Sequence, residues 1–223
     1  MRKTHRLEQG DFAVSEKHIE TTSLFEVLVA VVLSQNTSDR NAVKAIARLR
    51  EIGQGRITPQ VILSMEQHML EGILRPAGMY RNRARVLRKL AELFQEPGFT
   101  ERLTAEVTRA GDVNEARRRL MELPGVGEKT ADVVLLRYFG IPVFPVDTHI
   151  SRITRRMGFT ETGRYSDVSS FWMENTSPWN YLELHLYLIT HGRRICKARK
   201  PLCDECVLRD LCKHYQQGRL SLY

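Results

Sequence analysis

The sequence predicts an all-α protein. Apolar residues recur at helical spacing, most clearly at Ala84, Leu87, Leu90, Ala91 and Phe94. Helix-starting polar residues and helix-stopping glycines and prolines punctuate the chain at short intervals, and no segment alternates as a strand does. Short helices joined by short loops pack as a compact bundle.

Residues 1–22 are polar and give no element. Ser23 and Glu26 form a capping box for a helix over 24–33, which is apolar nearly all round and so belongs in the core. The polar run 34–39 turns the chain and caps a helix to about Ile52, with Ala42, Ile46 and Leu49 on one face. Thr58 and Pro59 open another helix with proline at its first position. Ser64 and Gln67 read as a second capping box, for a helix through Leu74. A loop over 76–80 precedes the strongly periodic helix, and Gly98 and Gly111 bracket one more around Thr104.

Asn114 is expected to cap a helix through Leu120, which Pro124 and Gly125 break. The next helix begins near Glu128, carries Ala131, Val134, Leu135 and Tyr138, and stops at Gly140 and Pro142. The loop 141–146 reads as a crossing between subdomains. Helices follow near 147–157, 166–174 and 178–191. The last places Trp179, Leu182, Leu186 and Ile189 at core spacing, so Trp172 and Trp179 are read as core residues rather than base-stacking platforms.

At 223 residues the chain holds one large domain or two small ones, and 42% hydrophobic residues supply an ordinary globular core. The formal net charge is +8 and the pI about 9.5, so the surface attracts polyanions. The N-terminus lacks the apolar core of a signal peptide, and the longest apolar run, 27–33, is too short to cross a bilayer. A soluble cytoplasmic protein with no membrane partner is expected.

The stretch 120–150 organises the rest. Gly125 and Gly127 are expected to take positive φ and leave backbone N–H groups uncovered at a helix start, which is an anion site. In a basic protein that anion is a nucleic-acid phosphate; the other reading is an ordinary bend between helices. A nucleotide-binding P-loop is excluded. It needs glycine directly before the lysine and a strand leading in, whereas here Glu128 intervenes and a helix leads in. Lys129 reads either as a solvated charge or as an amine nucleophile able to form a Schiff base once burial or nearby positive charge lowers its pKa. Asp147 reads as the N-cap of the helix that follows. As a carboxylate it also suits steadying a developing positive charge or relaying a proton.

All four cysteines fall within 196–212, as Cys196, Cys203, Cys206 and Cys212. That clustering points to a metal site rather than a disulfide framework. Four thiolates suit either an iron–sulfur cluster or a structural zinc, although zinc sites more often show two close pairs and here only Cys203 and Cys206 make one. Lys197, Arg199 and Lys200 lie between the first two cysteines. A loop pinned at both ends would present them rigidly to phosphate.

The run Leu-Pro-Gly-Val-Gly-x-Lys-Thr-Ala at 123–131, then Val-Asp-Thr-His at 146–149, resembles the helix–hairpin–helix (HhH-GPD) DNA glycosylase superfamily. Within it the chain is most similar to the endonuclease III family, from about Ser23 to Cys212, and the cysteine spacing matches that family's cluster motif. The resemblance implies two all-α domains: a six-helix barrel over 17–140 with the hairpin motif at 114–138, and a discontinuous domain of 1–16 and 141–223 ending in an iron–sulfur loop at 196–212. It implies a substrate cleft between them and a monomeric DNA N-glycosylase with AP-lyase activity. Such an enzyme removes oxidised or damaged pyrimidines from double-stranded DNA through a lysine Schiff base, and acts at AP sites.

Lys129 stands at the family's catalytic lysine position, where related monofunctional enzymes carry Tyr or Ser, and Asp147 at its catalytic aspartate. The cysteines would hold a [4Fe–4S] cluster. Gly125, Val126 and Gly127 would meet phosphate. Gln35, Asn36, Met79 and Tyr80 map to pocket and gap-filling positions; the run 35–38 departs from the family's most familiar version, which leaves the lesion open. Carbonyls of Met121, Leu123 and Val126 would hold a monovalent cation. A monofunctional mismatch glycosylase and a non-catalytic DNA-binding module are the alternatives, but a pure binder has no need of both Lys129 and Asp147.

Overall fold

The structure is a computed structural model and describes residues 23–220. The N-terminal arm expected at 1–16 lies outside the described residues. Among the described residues there are twelve α-helices, a few 3-10 turns and no strand. They divide into two compact units, one ending at Ile141 and the other beginning at Pro142. No helix among the described residues is long and apolar enough to cross a membrane.

The first unit is built around α1 (Leu24–Ser34), nearly every residue of which is buried. Ser23 caps it, its Oγ accepting from the Glu26 N–H at 3.2 Å. The Glu26 carboxylate accepts Arg50 Nε of α2 (Asp39–Ile52) at 2.6 Å. Ser38 caps α2 through the Asn41 N–H. Thr58 caps α3 (Pro59–Ser64), which has proline at its start.

The second capping box does not form. Ser64 is the last residue of α3 and its hydroxyl donates to the Val61 carbonyl, while α4 (Gln67–Leu74) starts from Glu66 without a side-chain cap. α5 (Tyr80–Gln95) packs against α1, α3 and α4, and its stripe Ala84, Leu87, Leu90 and Ala91 is fully buried. Each large apolar side chain so buried contributes about 1.5–3 kcal/mol. Phe94 continues the stripe between the rings of Phe25 and Phe99. α6 (Phe99–Thr108) leads to α7 (Val113–Met121) and α8 (Glu128–Arg137), and α8 packs on α1 and α7.

Asp112, not Asn114, caps α7. Its Oδ1 accepts the Glu115 N–H at 2.7 Å, and the Glu115 carboxylate accepts the N–H of Gly111, one residue before the cap, at 2.9 Å. Asn114 instead accepts from Arg117 within the helix.

In the second unit α9 (Thr148–Met157) packs against α10 (Tyr165–Asn175), α11 (Tyr181–Arg194) and α12 (Lys213–Leu220). Trp172 is half-buried at the edge of the core, stacked on Phe144 and donating to Thr154 Oγ1 at 2.8 Å. Trp179 is not: it is 94% exposed. The chain over Pro178–Asn180 is a 3-10 turn, so α11 begins only at Tyr181 and the helical phase assumed for Trp179 never applies.

Candidate active site and cluster loop

The hairpin between α7 and α8 is tightened by the Leu123 N–H donating to the Leu120 carbonyl and the Val126 N–H to the Leu123 carbonyl. Gly125 takes φ 76°, and a Cβ there would lie 2.6 Å from Val86 Cγ1, so conformation and space both require glycine. Gly127 does not take positive φ. Its φ is −102° in extended backbone, which any residue adopts, and a Cβ there would meet nothing within 4 Å. Nothing inside the protein demands glycine at 127. Gly127 is also the N-cap of α8 and brings no capping side chain. Val126 and Leu123 are buried and anchor the hairpin from below.

The two hairpin helices are clamped by a two-pronged ion pair, Arg117 Nε to Asp132 Oδ1 at 2.6 Å and Nη2 to Oδ2 at 3.1 Å, with Asp132 wholly buried. Breaking such a pair by removing one partner costs roughly 3–5 kcal/mol, because a buried charge is left alone. Lys129 lies half-buried in the first turn of α8, next to buried Thr130.

Two further sequence-selected segments belong to this unit. Gln35 Nε2 donates to the Gly125 carbonyl and to Thr130 Oγ1, both at 2.9 Å, so the structure brings Gln35 onto the hairpin. Asn36 is exposed with φ 49°, and Met79 is 60% exposed with φ 48°. Tyr80 lies under the guanidinium groups of Arg75 and Arg81. Left-handed backbone is uncommon for non-glycine residues and collects at functional sites.

Asp147 lies in the second unit, half-buried, as the N-cap of α9; its Oδ1 accepts the Ile150 N–H at 2.8 Å. The segment leading to it is fastened on several sides. Ser169 Oγ donates to the Phe144 carbonyl, His185 Nδ1 lies 2.9 Å from the Pro145 carbonyl, and the Val146 N–H donates to Tyr165 Oη. Lys129 and Asp147 thus belong to different units, Lys129 to the first turn of α8 and Asp147 to the start of α9.

The four cysteines form no disulfide and line one pocket with Arg156 and His191. Burial pushes the Cys203 and Cys206 thiols up, and for both the neighbouring cysteines push in the same direction. Four thiolates brought together this way need positive charge between them, and the iron of an iron–sulfur group supplies it, so the donor set suits such a group. Among the described residues no three His, Cys, Asp or Glu side chains gather to hold a single metal ion.

Arg156 of α9 donates to Cys196 Sγ at 3.4 Å and to the Lys197 and Ala198 carbonyls at 2.7 and 3.0 Å, and Arg152 Nε donates to the Cys196 carbonyl. The loop is held by its main chain, which leaves Lys197, Arg199 and Lys200 exposed; Lys200 has φ 50°. Sequence reasoning missed Arg83, Arg117, Asp132, Arg152 and Arg156. A signal existed for Arg83, an arginine four residues before Leu87 on the apolar stripe of α5.

The family model described as HhH-GPD superfamily base excision DNA repair protein matches residues 29–178, and the iron-sulfur binding domain of endonuclease III matches residues 196–212. Endonuclease III of Sulfolobus acidocaldarius is 37% identical, the match covering 96% of this chain and 93% of that protein. Endonuclease III of Escherichia coli is 33% identical over 88% and 86%. A solved structure of a trapped endonuclease III–DNA covalent intermediate is 32% identical with a TM-score of 0.73, covering 95% of this chain and 91% of that one. With hairpin and cysteine loop both inside the matched segments, the chain belongs to the HhH-GPD superfamily of base excision DNA repair proteins, as a DNA glycosylase/AP lyase of the endonuclease III family with an iron–sulfur binding domain.

Proposed function

We propose that Lys129 is the nucleophile and that the substrate is a damaged pyrimidine, or an AP site, in double-stranded DNA met by a monomer. The observation that carries this reading is Lys129 itself, half-buried in the first turn of α8 beside an uncapped hairpin with open space at Gly127. The hairpin at Gly125, Val126 and Gly127 meets a phosphate next to the target nucleotide, which is turned out of the stack; the Gly125 and Gly127 N–H groups donate to it, while the Val126 N–H stays bonded to the Leu123 carbonyl.

The Lys129 amine attacks C1′, the C1′–N bond to the base breaks, and the departing base takes a proton. The nitrogen lone pair then opens the sugar ring to give an imine. Loss of a proton from C2′ expels the 3′ phosphate by β-elimination, and water releases the enzyme. The Asp147 carboxylate steadies the cationic sugar as the base leaves and relays protons afterwards. Gln35, Asn36, Met79 and Tyr80 read the extruded base and fill its gap. Carbonyls of Met121, Leu123 and Val126 stiffen the hairpin around a monovalent cation.

A panel of duplexes, each with one lesion, tests the reading. Cleavage 3′ to an oxidised pyrimidine and to a preformed AP site is expected. Base release that leaves the strand intact would make the enzyme monofunctional.

Cys196, Cys203, Cys206 and Cys212 would hold a [4Fe–4S] cluster. When bound it crosslinks the loop and so fixes the basic residues between its ligands. The purified protein is expected to be yellow-brown, to absorb near ~400 nm and to contain about four irons per chain. One zinc and no iron would contradict the assignment.

Lys197, Arg199 and Lys200 contact phosphates in this account. Replacing Arg199 and Lys200 together by Gln is expected to lower the salt dependence of binding to undamaged duplex by about two units of log–log slope. An unchanged slope would remove the loop from the interface.

A further inference from the structure

Arg83 sits on the apolar stripe of α5, 4% exposed, and burial pulls its guanidinium below the usual arginine range. A charge so placed persists only if its N–H groups find acceptors. They find three main-chain carbonyls. Nε donates to Gly78 at 2.8 Å, and Nη1 and Nη2 donate to Val32 and Gln35. These carbonyls come from the end of α1, the turn after it and the loop before α5. Gln35 extends the network, since its side chain is bonded to Gly125 and Thr130 on the hairpin. The residues directly after two of the tied carbonyls, Asn36 and Met79, are in left-handed backbone, a conformation that survives only where its surroundings over-determine it.

We infer that Arg83 is the positioning residue for base readout: it holds the turn at Gln35 and Asn36 and the loop at Met79 and Tyr80 in one register and, through Gln35, seats both on the hairpin that carries Lys129. The inference rests on the proposed role of those two segments in reading the base. Chemistry at Lys129 depends on the hairpin, which the Arg117–Asp132 pair and buried Val126 hold independently of Arg83. Loosening Arg83 therefore separates base recognition from strand cleavage.

The test uses the full-length, cluster-containing enzyme with Arg83→Met, which removes all three donors at similar volume, and Arg83→Lys, which keeps the charge but cannot span three carbonyls. Each variant meets two duplexes, one with a damaged pyrimidine and one with a preformed AP site at the same position, where no base is left to read. Arg83→Met is expected to lose roughly 10- to 100-fold in kcat/KM on the damaged base, mostly through KM. It should keep parent-like single-turnover cleavage of the AP site, with Arg83→Lys in between. Equal proportional losses on both substrates would show a merely structural role and overturn the inference, as would unchanged excision of the damaged base. If Arg83→Met does not fold, the same split in Arg83→Lys decides alone. A parent enzyme that cleaves neither duplex refutes the functional reading itself, a result distinct from any outcome in the variants.

Discussion

Lys129→Gln loses strand cleavage at damaged bases and AP sites by a factor on the order of 10⁴ or more, the scale expected when a covalent nucleophile is deleted. Glutamine has no amine to form an imine, and nothing else in the first turn of α8 replaces it: Glu128 is an acid and Thr130 is buried. Binding to lesion-containing duplex persists, because the phosphate contacts proposed for the hairpin come from main-chain N–H groups that the substitution leaves in place. The fold persists too, since glutamine suits a helix as well as lysine does and the α7–α8 clamp at Arg117 and Asp132 is untouched. The check is a gel-based cleavage assay beside a binding isotherm on the same duplex. Parent-like cutting by Lys129→Gln would show that another amine is the nucleophile.

Asp147→Asn slows base release by roughly 10²–10³-fold, the cost of removing one group aimed at developing charge. Two functions of Asp147 can be separated here. As N-cap of α9 it uses Oδ1 to accept the Ile150 N–H, and asparagine caps about as well. As carboxylate it supplies a negative charge, which asparagine lacks. Melting temperature should therefore hold while the single-turnover rate of base release falls. Asp147→Ala removes both functions and additionally destabilises by about 1 kcal/mol. A fall in Asp147→Asn stability that matched its loss of activity would reduce Asp147 to a cap.

Features that depend on nearest neighbours along the chain are legible in the sequence. Ser23, Ser38, Thr58 and Asp147 cap the helices they precede, each accepting an N–H three residues on. The failures share a cause. Asp112 and Asn114 both offer a capping oxygen, and Glu115, three residues after Asp112, favours Asp112 by donating its N–H there and accepting the Gly111 N–H just before the cap. The Ser64 and Gln67 pattern is formally a box, but Ser64 is already engaged in ending a six-residue helix. Trp179 matches the periodicity of α11 and falls outside it, because Pro178 starts a tighter turn with a different phase.

The candidate site divides the same way. Lys129, Asp147 and the cysteines carry their chemistry in residue type and spacing. Arg83, Arg152 and Arg156 do not. Their acceptors are largely main-chain carbonyls, at Gly78, Gln35, Cys196, Lys197 and Ala198, and a carbonyl leaves no mark in a sequence. The Arg117–Asp132 pair spans fifteen residues and is set by how α7 lies on α8. Gln35 reads as a pocket residue from its motif position, and its bonds to Gly125 and Thr130 form only once α1 is packed on α8.

The central claim is a covalent bond between Lys129 and the sugar, and reductive trapping measures it directly. Enzyme and a duplex with one AP site are mixed with borohydride, which reduces an imine to a stable amine, and the crosslinked protein is digested and its peptides weighed. One crosslink per chain is expected, on the peptide that contains Lys129, absent with intact undamaged duplex and absent in Lys129→Gln. A crosslink of equal yield in Lys129→Gln, or an adduct on a different lysine or on an N-terminal amine in the parent, would contradict it.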